Sequence, residues 1–246
     1  MASFTFLQWA VLILCALLIG FTKAGIPGIG IIIPLLGAPI MPAKESTGFI
    51  LPMLIMADIF AILYWRRHVA WKQLLRLLPW ALTGILAGSL GMSYINNTQL
   101  KTFIGILVLI LIVLSWIKDK MLPDDNIPSH WLFAALLGGM AGATSMMANA
   151  AGPVMVIYLT AMGLSKKYFI GTSACFFWII NLSKLPFSYR LELITIQSLK
   201  TNLILLPCII VGGIIGIQLV KRISQKMFNA VVRLLAVAAA LLLICN

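Results

Sequence analysis

The sequence predicts an all-α polytopic membrane protein, and two observations indicate that class. Of the 246 residues, 62% are hydrophobic and only 10% are charged, with a mean hydropathy of +1.07. Soluble domains do not have such a composition. In addition, glycine and proline interrupt two long apolar runs, over residues 20–30 and 142–153. We therefore expect one transmembrane domain over 1–246, because the longest polar connection, 118–129, is too short for a soluble domain.

The hydrophobic segments follow the same order in both halves of the chain. Each half opens with a broken run, and each break is followed by three segments of roughly the 20 residues that a bilayer requires. The six predicted spans are 48–65, 74–95, 100–117, 168–187, 203–220 and 228–245. Unpaired backbone groups are costly in hydrocarbon, so breaks persist only where protein or a polar cavity satisfies them. Paired breaks at corresponding positions indicate a transporter binding site.

An internal repeat supports this division into halves. A shift of 123 residues places Asp58 on Asn181. We expect repeat 1 at 1–117 and repeat 2 at 128–246, each with about four hydrophobic segments. A shift of 128 residues also superimposes two glycine pairs, Gly84 with Gly88 and Gly212 with Gly216. Such pairs, with Gly138 and Gly142 as a third, predict close contacts between helices.

The basic residues of the loops predict the topology. If all eight hydrophobic segments cross the membrane, the loop lysines and arginines divide almost evenly between the two sides. If both broken runs are re-entrant hairpins, eleven share one side against four on the other, which the positive-inside rule favours. Both termini then face outward and the two halves are inverted. Four tryptophans near span ends are predicted interfacial anchors: Trp65, Trp71, Trp116 and Trp131.

Three ionisable residues lie in apolar segments, where a charge is costly and therefore indicates function. Lys23 lies in the first break, where its ammonium and the backbone amides of Gly25 and Gly28 could bind one anion. The alternative for Lys23 is a side chain that extends to the membrane surface. Asp58 could couple transport to protons, or form a structural ion pair with Lys23 or Lys184.

The second break offers neutral hydrogen-bond donors. We expect Thr144, Ser145, Asn149 and Gly152 to contact an oxyanion, although the same groups could instead cap the broken helix ends. Asn181 and Lys184 are three residues apart and so share a helical face. For Lys184, contact with the anion and extension to the membrane surface are both open.

Several other functions are excluded by what the sequence lacks. It has two histidines, no H-E-x-x-H motif and four widely spaced cysteines, so we expect no enzyme activity, metal site or cofactor. The net charge of +12 is explained by short basic loops rather than by nucleic-acid binding. The expected partners are a small anionic substrate and membrane lipid. Whether two copies of the chain form a homodimer is left open by the sequence.

Five motifs resemble the sulfite exporter TauE/SafE family. They lie at 148–159 (ANAAGPVMVIYL), 163–167 (GLSKK), 171–174 (GTSA), 181–186 (NLSKLP) and in the glycine-rich segment 20–34. The resemblance implies a multi-pass transporter of the bacterial inner membrane that moves sulfite, thiosulfate or organosulfonates. With the paired breaks, we expect a secondary transporter that works by alternating access. The alternatives are a channel-like anion conduit and a membrane assembly subunit without transport.

Overall fold

The computed structural model describes residues 4–27, 33, 36, 43–91 and 131–245. These residues form helices joined by short connections, and no strand occurs among them. The predicted span 100–117 and the glycine Gly28 lie outside the described residues. The helices are α1 (Phe6–Ala24), α2 (Ala43–Trp65), α3 (Trp71–Gly91), α4 (Trp131–Ala148), α5 (Gly152–Ala161), α6 (Lys166–Arg190), α7 (Ile196–Arg222) and α8 (Gln225–Cys245).

The length and composition of the helices confirm a multi-pass membrane protein. Among the described residues, four helical stretches are long and apolar enough to cross a bilayer: Phe6–Ala24, Ser46–Trp65, Trp71–Gly91 and Ile196–Arg222. Helices α6 and α8 also cover predicted spans, and α6 extends beyond its predicted ends on both sides. The lower apolarity of α6 follows from the polar side chains that it carries, and those side chains prove to matter for the site.

Both breaks are narrower than the sequence indicated. The prediction that the first break starts at Gly20 is wrong, because α1 continues through Lys23 and ends at Ala24. Similarly, α4 continues to Ala148, and only residues 149–151 separate it from α5. Asn149 ends α4 with a φ of 52°, a left-handed conformation that asparagine tolerates better than most residues. A proline in the first turn then favours the start of α5, because a first-turn N–H has no helical partner to lose.

Small residues bring two pairs of helices into close contact, as predicted. Helix α1 packs on α7, where a Cβ added at Gly20 would overlap the carbonyl of Ile209. Helix α4 packs on α3 in the same way, since a Cβ at Gly142 would overlap the carbonyl of Ala81. In lipid, such packing replaces the hydrophobic effect as the force that joins helices. The first helix of each half therefore packs on a helix of the other half.

Helices α2 and α6 form the centre of the described structure and run antiparallel. Near one end, Gly48 of α2 packs on the carbonyl of Leu193, and near the other, Gly171 of α6 packs on the carbonyl of His68. Between these ends the two helices join through side chains of Asp58 and Asn181. The residues that the 123-residue shift superimposed therefore contact each other directly.

Helix α5 folds back along α4. The ring of Tyr158 stacks on the ring of Phe133 with 6.0 Å between centroids, and its hydroxyl donates to the carbonyl of Gln73 at 2.9 Å. Phe133 lies at the start of α4, whereas α5 begins just beyond the end of α4. The break at 149–151 therefore reverses the direction of the chain.

One predicted interfacial anchor is wrong. Trp65 is buried, and its indole nitrogen donates to the carbonyl of Ala24 at 3.0 Å. This bond satisfies a carbonyl at the end of α1, where a helix leaves its last acceptors unpaired. Trp71 and Trp131 are exposed at helix starts, as an anchor requires. Trp116 lies outside the described residues.

Candidate functional site

The ion pair between Lys23 and Asp58 lies at the centre of the candidate site. Lys23 belongs to the last turn of α1, and its Nζ is 2.8 Å from Oδ1 of Asp58 in the middle of α2. The Asp58 side chain is completely buried and that of Lys23 is 11% exposed. Asn181 of α6 donates its Nδ2 hydrogen to the other carboxylate oxygen at 2.7 Å. Lys23 therefore points to a buried carboxylate rather than to the membrane surface, and its pair with Asp58 is one of the alternatives that the sequence left open.

Phe177 makes the second contact of the Lys23 ammonium. The ring centroid lies 3.9 Å from Nζ, within the range of a cation–π interaction. An ammonium group has three hydrogens to donate. Asp58 and the Phe177 ring therefore leave one donor of Lys23 for another partner. This role of Phe177 was not predicted, because a phenylalanine in an apolar helix is ordinarily a packing residue.

The second buried lysine, Lys184, has neutral partners only. Its side chain is 2% exposed, and its Nζ contacts the carbonyl of Ser145 at 3.1 Å, the hydroxyl of Ser145 at 3.1 Å and Oδ1 of Asn149 at 2.6 Å. These three contacts use all three ammonium hydrogens. The ammonium also lies at the C-terminus of α4, where the helix dipole favours a positive charge.

Lys184 fixes the orientation of the Asn149 side chain. Because Oδ1 of Asn149 accepts from Lys184, the amide nitrogen lies on the other side, where it donates to the carbonyl of Thr47 at 3.2 Å. An amide nitrogen has two hydrogens, so one remains. Asn149 thus presents a donor, not an acceptor, to its remaining surroundings.

A cavity of about 70 Å³ lies between the two breaks. One liquid water occupies roughly 30 Å³, so a small oxyanion fits this volume. Its wall is partly apolar, with Phe177, Leu54 and Ile33 among the apolar residues. The residues that line it are Thr22, Lys23, Pro27, Ile33, Leu54, Ser145, Asn149, Ala150, Gly152, Pro153, Ser173, Ala174, Phe177 and Asn181.

Five residues predicted from the sequence therefore meet at one cavity: Lys23, Ser145, Asn149, Gly152 and Asn181. Asp58 and Lys184 lie one contact behind the wall. Gly25 instead packs on Gly216 of α7, and the Thr144 hydroxyl donates to the carbonyl of Met140 at 2.8 Å. Neither of these lines the cavity, and Gly28 is outside the described residues. Neither Ser173 nor Phe177 was predicted. A signal was present, because they precede Asn181 by eight and four residues and so lie on the same face of α6.

Basic groups outnumber acidic groups around the cavity. Lys23 lines it and Lys184 lies directly behind its wall, and Asp58 is the one carboxylate that contacts either lysine among the described residues. No cluster of potential metal ligands was found in the same part of the chain. When both lysines are protonated, one positive charge is uncompensated, and such a charge in a low-dielectric interior favours binding of an anion.

Comparison with known proteins gives one positive result. A sequence profile of the family described as Sulfite exporter TauE/SafE matches residues 12–243, almost the whole chain. No curated protein and no solved structure gave a significant match. The family comprises membrane transporters of sulfur-containing anions in general, in agreement with the apolar helices and the positively charged cavity. The chain is therefore a member of the sulfite exporter TauE/SafE family.

Proposed function

We propose that the protein is a secondary transporter that moves a small sulfur-containing anion across the bacterial inner membrane by alternating access. The anion is sulfite, thiosulfate or a small organosulfonate, and it binds in the cavity between the two breaks. The observation that carries this proposal is the cavity lined by residues of both breaks, with Lys23 in its wall and a second lysine, Lys184, directly behind it.

The anion contacts would come from Lys23 on one side and from Ser145 and Asn149 on the other. Lys23 has one ammonium hydrogen left, and a charge-assisted hydrogen bond is the strongest available contact. Gly152 begins α5 at the cavity wall, so the positive end of that helix dipole adds to the attraction. Lys184 would support the site from behind by holding Ser145 and Asn149.

The proposed architecture is two inverted repeats, at 1–117 and 128–246. In support, the antiparallel helices α2 and α6 make equivalent contacts at their two ends, through Gly48 and Gly171. The first helix of each half packs on a helix of the other half, α1 on α7 and α4 on α3. These two contacts are related by the same symmetry. The reversal of the chain between α4 and α5 supports a re-entrant second break. The distribution of lysines and arginines in the loops supports a re-entrant first break and outward-facing termini.

Alternating access follows from this arrangement, because a site between two inverted halves can open to either side as the halves exchange conformations. Counterflow in proteoliposomes tests it. A carrier loaded with unlabelled sulfite should accumulate labelled sulfite transiently against its gradient. A channel-like conduit would give uptake without this overshoot.

A screen of anions tests the proposed substrate class. A ligand that binds only the folded protein raises its melting temperature by mass action. Sulfite, thiosulfate or a small sulfonate should stabilise the purified protein, while acetate and chloride at equal ionic strength should not. A Lys23→Met variant is the matched control, since it should lose the response to the same anion. A membrane assembly subunit without transport would respond to none of them.

Asp58 is the proposed coupling residue. In Asp58→Asn the amide keeps the shape of the side chain but can no longer gain or lose a proton. We expect this variant to fold, and to lose the stimulation of uptake by an imposed proton gradient. Normal stimulation in Asp58→Asn would make Asp58 a structural residue only.

A further inference from the structure

Residues on both sides of the cavity have a hydrogen-bond donor left for a ligand. Lys23 has one ammonium hydrogen left after Asp58 and the Phe177 ring, and Asn149 has one amide hydrogen left after Thr47. The hydroxyl of Ser145 accepts from Lys184, so its own hydrogen is free to donate into the cavity. The other contacts of each side chain, with Asp58, the Phe177 ring, Thr47 or Lys184, hold it in place.

Asn181 has an acceptor without a partner. Its Nδ2 donates one hydrogen to Asp58, which fixes the amide with the nitrogen turned toward the carboxylate. Its carbonyl oxygen, Oδ1, makes no hydrogen bond to any of the described residues, and Asn181 lines the cavity. Asn149 therefore offers one hydrogen, whereas Asn181 offers one hydrogen and, in addition, an unpaired acceptor.

This arrangement bears on the substrate of the proposed transporter. A fully deprotonated oxyanion has only acceptors, so it would leave the Asn181 oxygen without a hydrogen-bond donor. A buried acceptor that is left unpaired weakens binding.

We propose that the site selects a small monoanion that carries a hydrogen-bond donor of its own. Hydrogensulfite is the simplest such ion, and sulfite in its doubly charged form is excluded. Lys23, Ser145 and Asn149 donate to the charged oxygens, and the Asn181 oxygen accepts the proton-bearing group. This inference rests on the proposed function, since it names the ionic form bound at the same cavity.

The test is the affinity of the purified wild-type protein for sulfite at a series of pH values that span the conversion of hydrogensulfite to sulfite. Above that ionisation the apparent affinity should fall about tenfold for each pH unit, in proportion to the remaining hydrogensulfite. An affinity that is constant or rises with pH would overturn the inference. If neither form of sulfite binds, and thiosulfate and methanesulfonate do not bind either, the proposed function fails instead.

Methanesulfonate is the matched control ligand. It has one negative charge and no hydrogen-bond donor at every pH used. Its affinity therefore reports any titration of the protein groups that face the cavity or hold its wall, which are Lys23 of α1, Asp58 of α2 and Lys184 of α6. The described parts of α4 and α5 contribute no charged group there. Below the ionisation, hydrogensulfite should bind about ten- to a hundredfold more tightly than methanesulfonate.

An Asn181→Leu variant tests whether Oδ1 of Asn181 is the source of the preference for hydrogensulfite over methanesulfonate. Leucine removes the acceptor, so the ratio of hydrogensulfite to methanesulfonate affinity should fall toward one. The ratio is the readout because the variant also removes a donor to Asp58, which affects both ligands alike. An unchanged ratio would overturn the role of Asn181. The wild-type pH series remains decisive if this variant does not fold.

Discussion

One buried lysine lies next to each break, and the ammonium groups of the two lysines have different partners. Lys23 at the first break faces a carboxylate at 2.8 Å and also reaches the cavity. Lys184 at the second break is surrounded by three neutral oxygens and stands behind Asn149. Lys23 lies next to a carboxylate and is accessible to a ligand, whereas Lys184 bonds to neutral groups and is shielded from the ligand. The donor that is free to bind an anion therefore belongs to Lys23.

This difference divides two tasks between the halves of the protein. An anion that enters the cavity can share Lys23 with Asp58, because the ammonium has a hydrogen left. It cannot reach Lys184 without breaking a bond to Ser145 or Asn149. We therefore expect Lys23 to determine affinity directly, and Lys184 to act through the geometry of the second break.

The largest effect is expected for Asp58→Ala. The change leaves the Lys23 ammonium buried without a counter-ion, and removal of one partner of a buried pair costs about 3–5 kcal/mol. Melting of the detergent-purified variant should show this loss. A saturating substrate anion should restore part of the stability, because it supplies negative charge next to Lys23.

The double variant Lys23→Met with Asp58→Leu is the control for that experiment. It removes both charges, so it should be more stable than Asp58→Ala alone. Its stability should not respond to the anion. If the double variant melts below Asp58→Ala, the ion pair is not the source of the loss.

A smaller effect, on binding, is expected for Lys23→Ala. A charge-assisted hydrogen bond is worth about 1.5–3 kcal/mol, so anion affinity should fall roughly 10- to 150-fold. Lys23→Arg should be intermediate, since it keeps the charge but places a bulky planar group next to the Phe177 ring. Titration calorimetry on folded protein gives the affinities.

Lys184→Met sharpens the contrast between the two lysines. It should lower the melting temperature more than Lys23→Ala does, because it leaves the acceptors of Ser145 and Asn149 unpaired. A purely direct role for Lys184 would instead give a loss of affinity equal to that of Lys23→Ala, with unchanged melting.

The smallest effect is expected for Trp65→Phe. It removes the hydrogen bond to the Ala24 carbonyl, a neutral contact worth about 0.5–1.5 kcal/mol. The end of α1 would then lose one of its fixed points, so a slight loss of stability and of anion affinity should occur together. Unchanged melting would show that packing of α1 on α7 alone positions Lys23.

The sequence predicted the membrane class and five of the described residues that line the cavity, for identifiable reasons. Charged and amide side chains are so costly in apolar segments that Lys23, Asp58, Asn181 and Lys184 stood out without any structure. Glycine pairs spaced by four residues marked the helix contacts in the same way. These signals are local, so one sequence is enough to detect them.

The errors arose where a position depends on its three-dimensional surroundings. Gly20 was taken as a helix breaker, but it allows α1 to approach α7 while the helix continues. Trp65 was taken as an interfacial anchor, but its indole reaches the end of α1. Ser173 and Phe177 were missed although they lie on the same face of α6 as Asn181, because a serine and a phenylalanine are not costly in an apolar segment.

The central claim is that both breaks bind the same anion, and it can be tested by comparing one residue from each. Calorimetric affinities for sulfite should be measured for the wild type, Lys23→Ala and Ser145→Ala. Ser89→Ala serves as a matched control, since Ser89 bonds to the carbonyl of Leu86 within its own helix. We expect Ser145→Ala to weaken binding about three- to tenfold, Lys23→Ala to weaken it more, and Ser89→Ala to have no effect. Wild-type affinity in Ser145→Ala, with a loss in Lys23→Ala, would contradict a shared site.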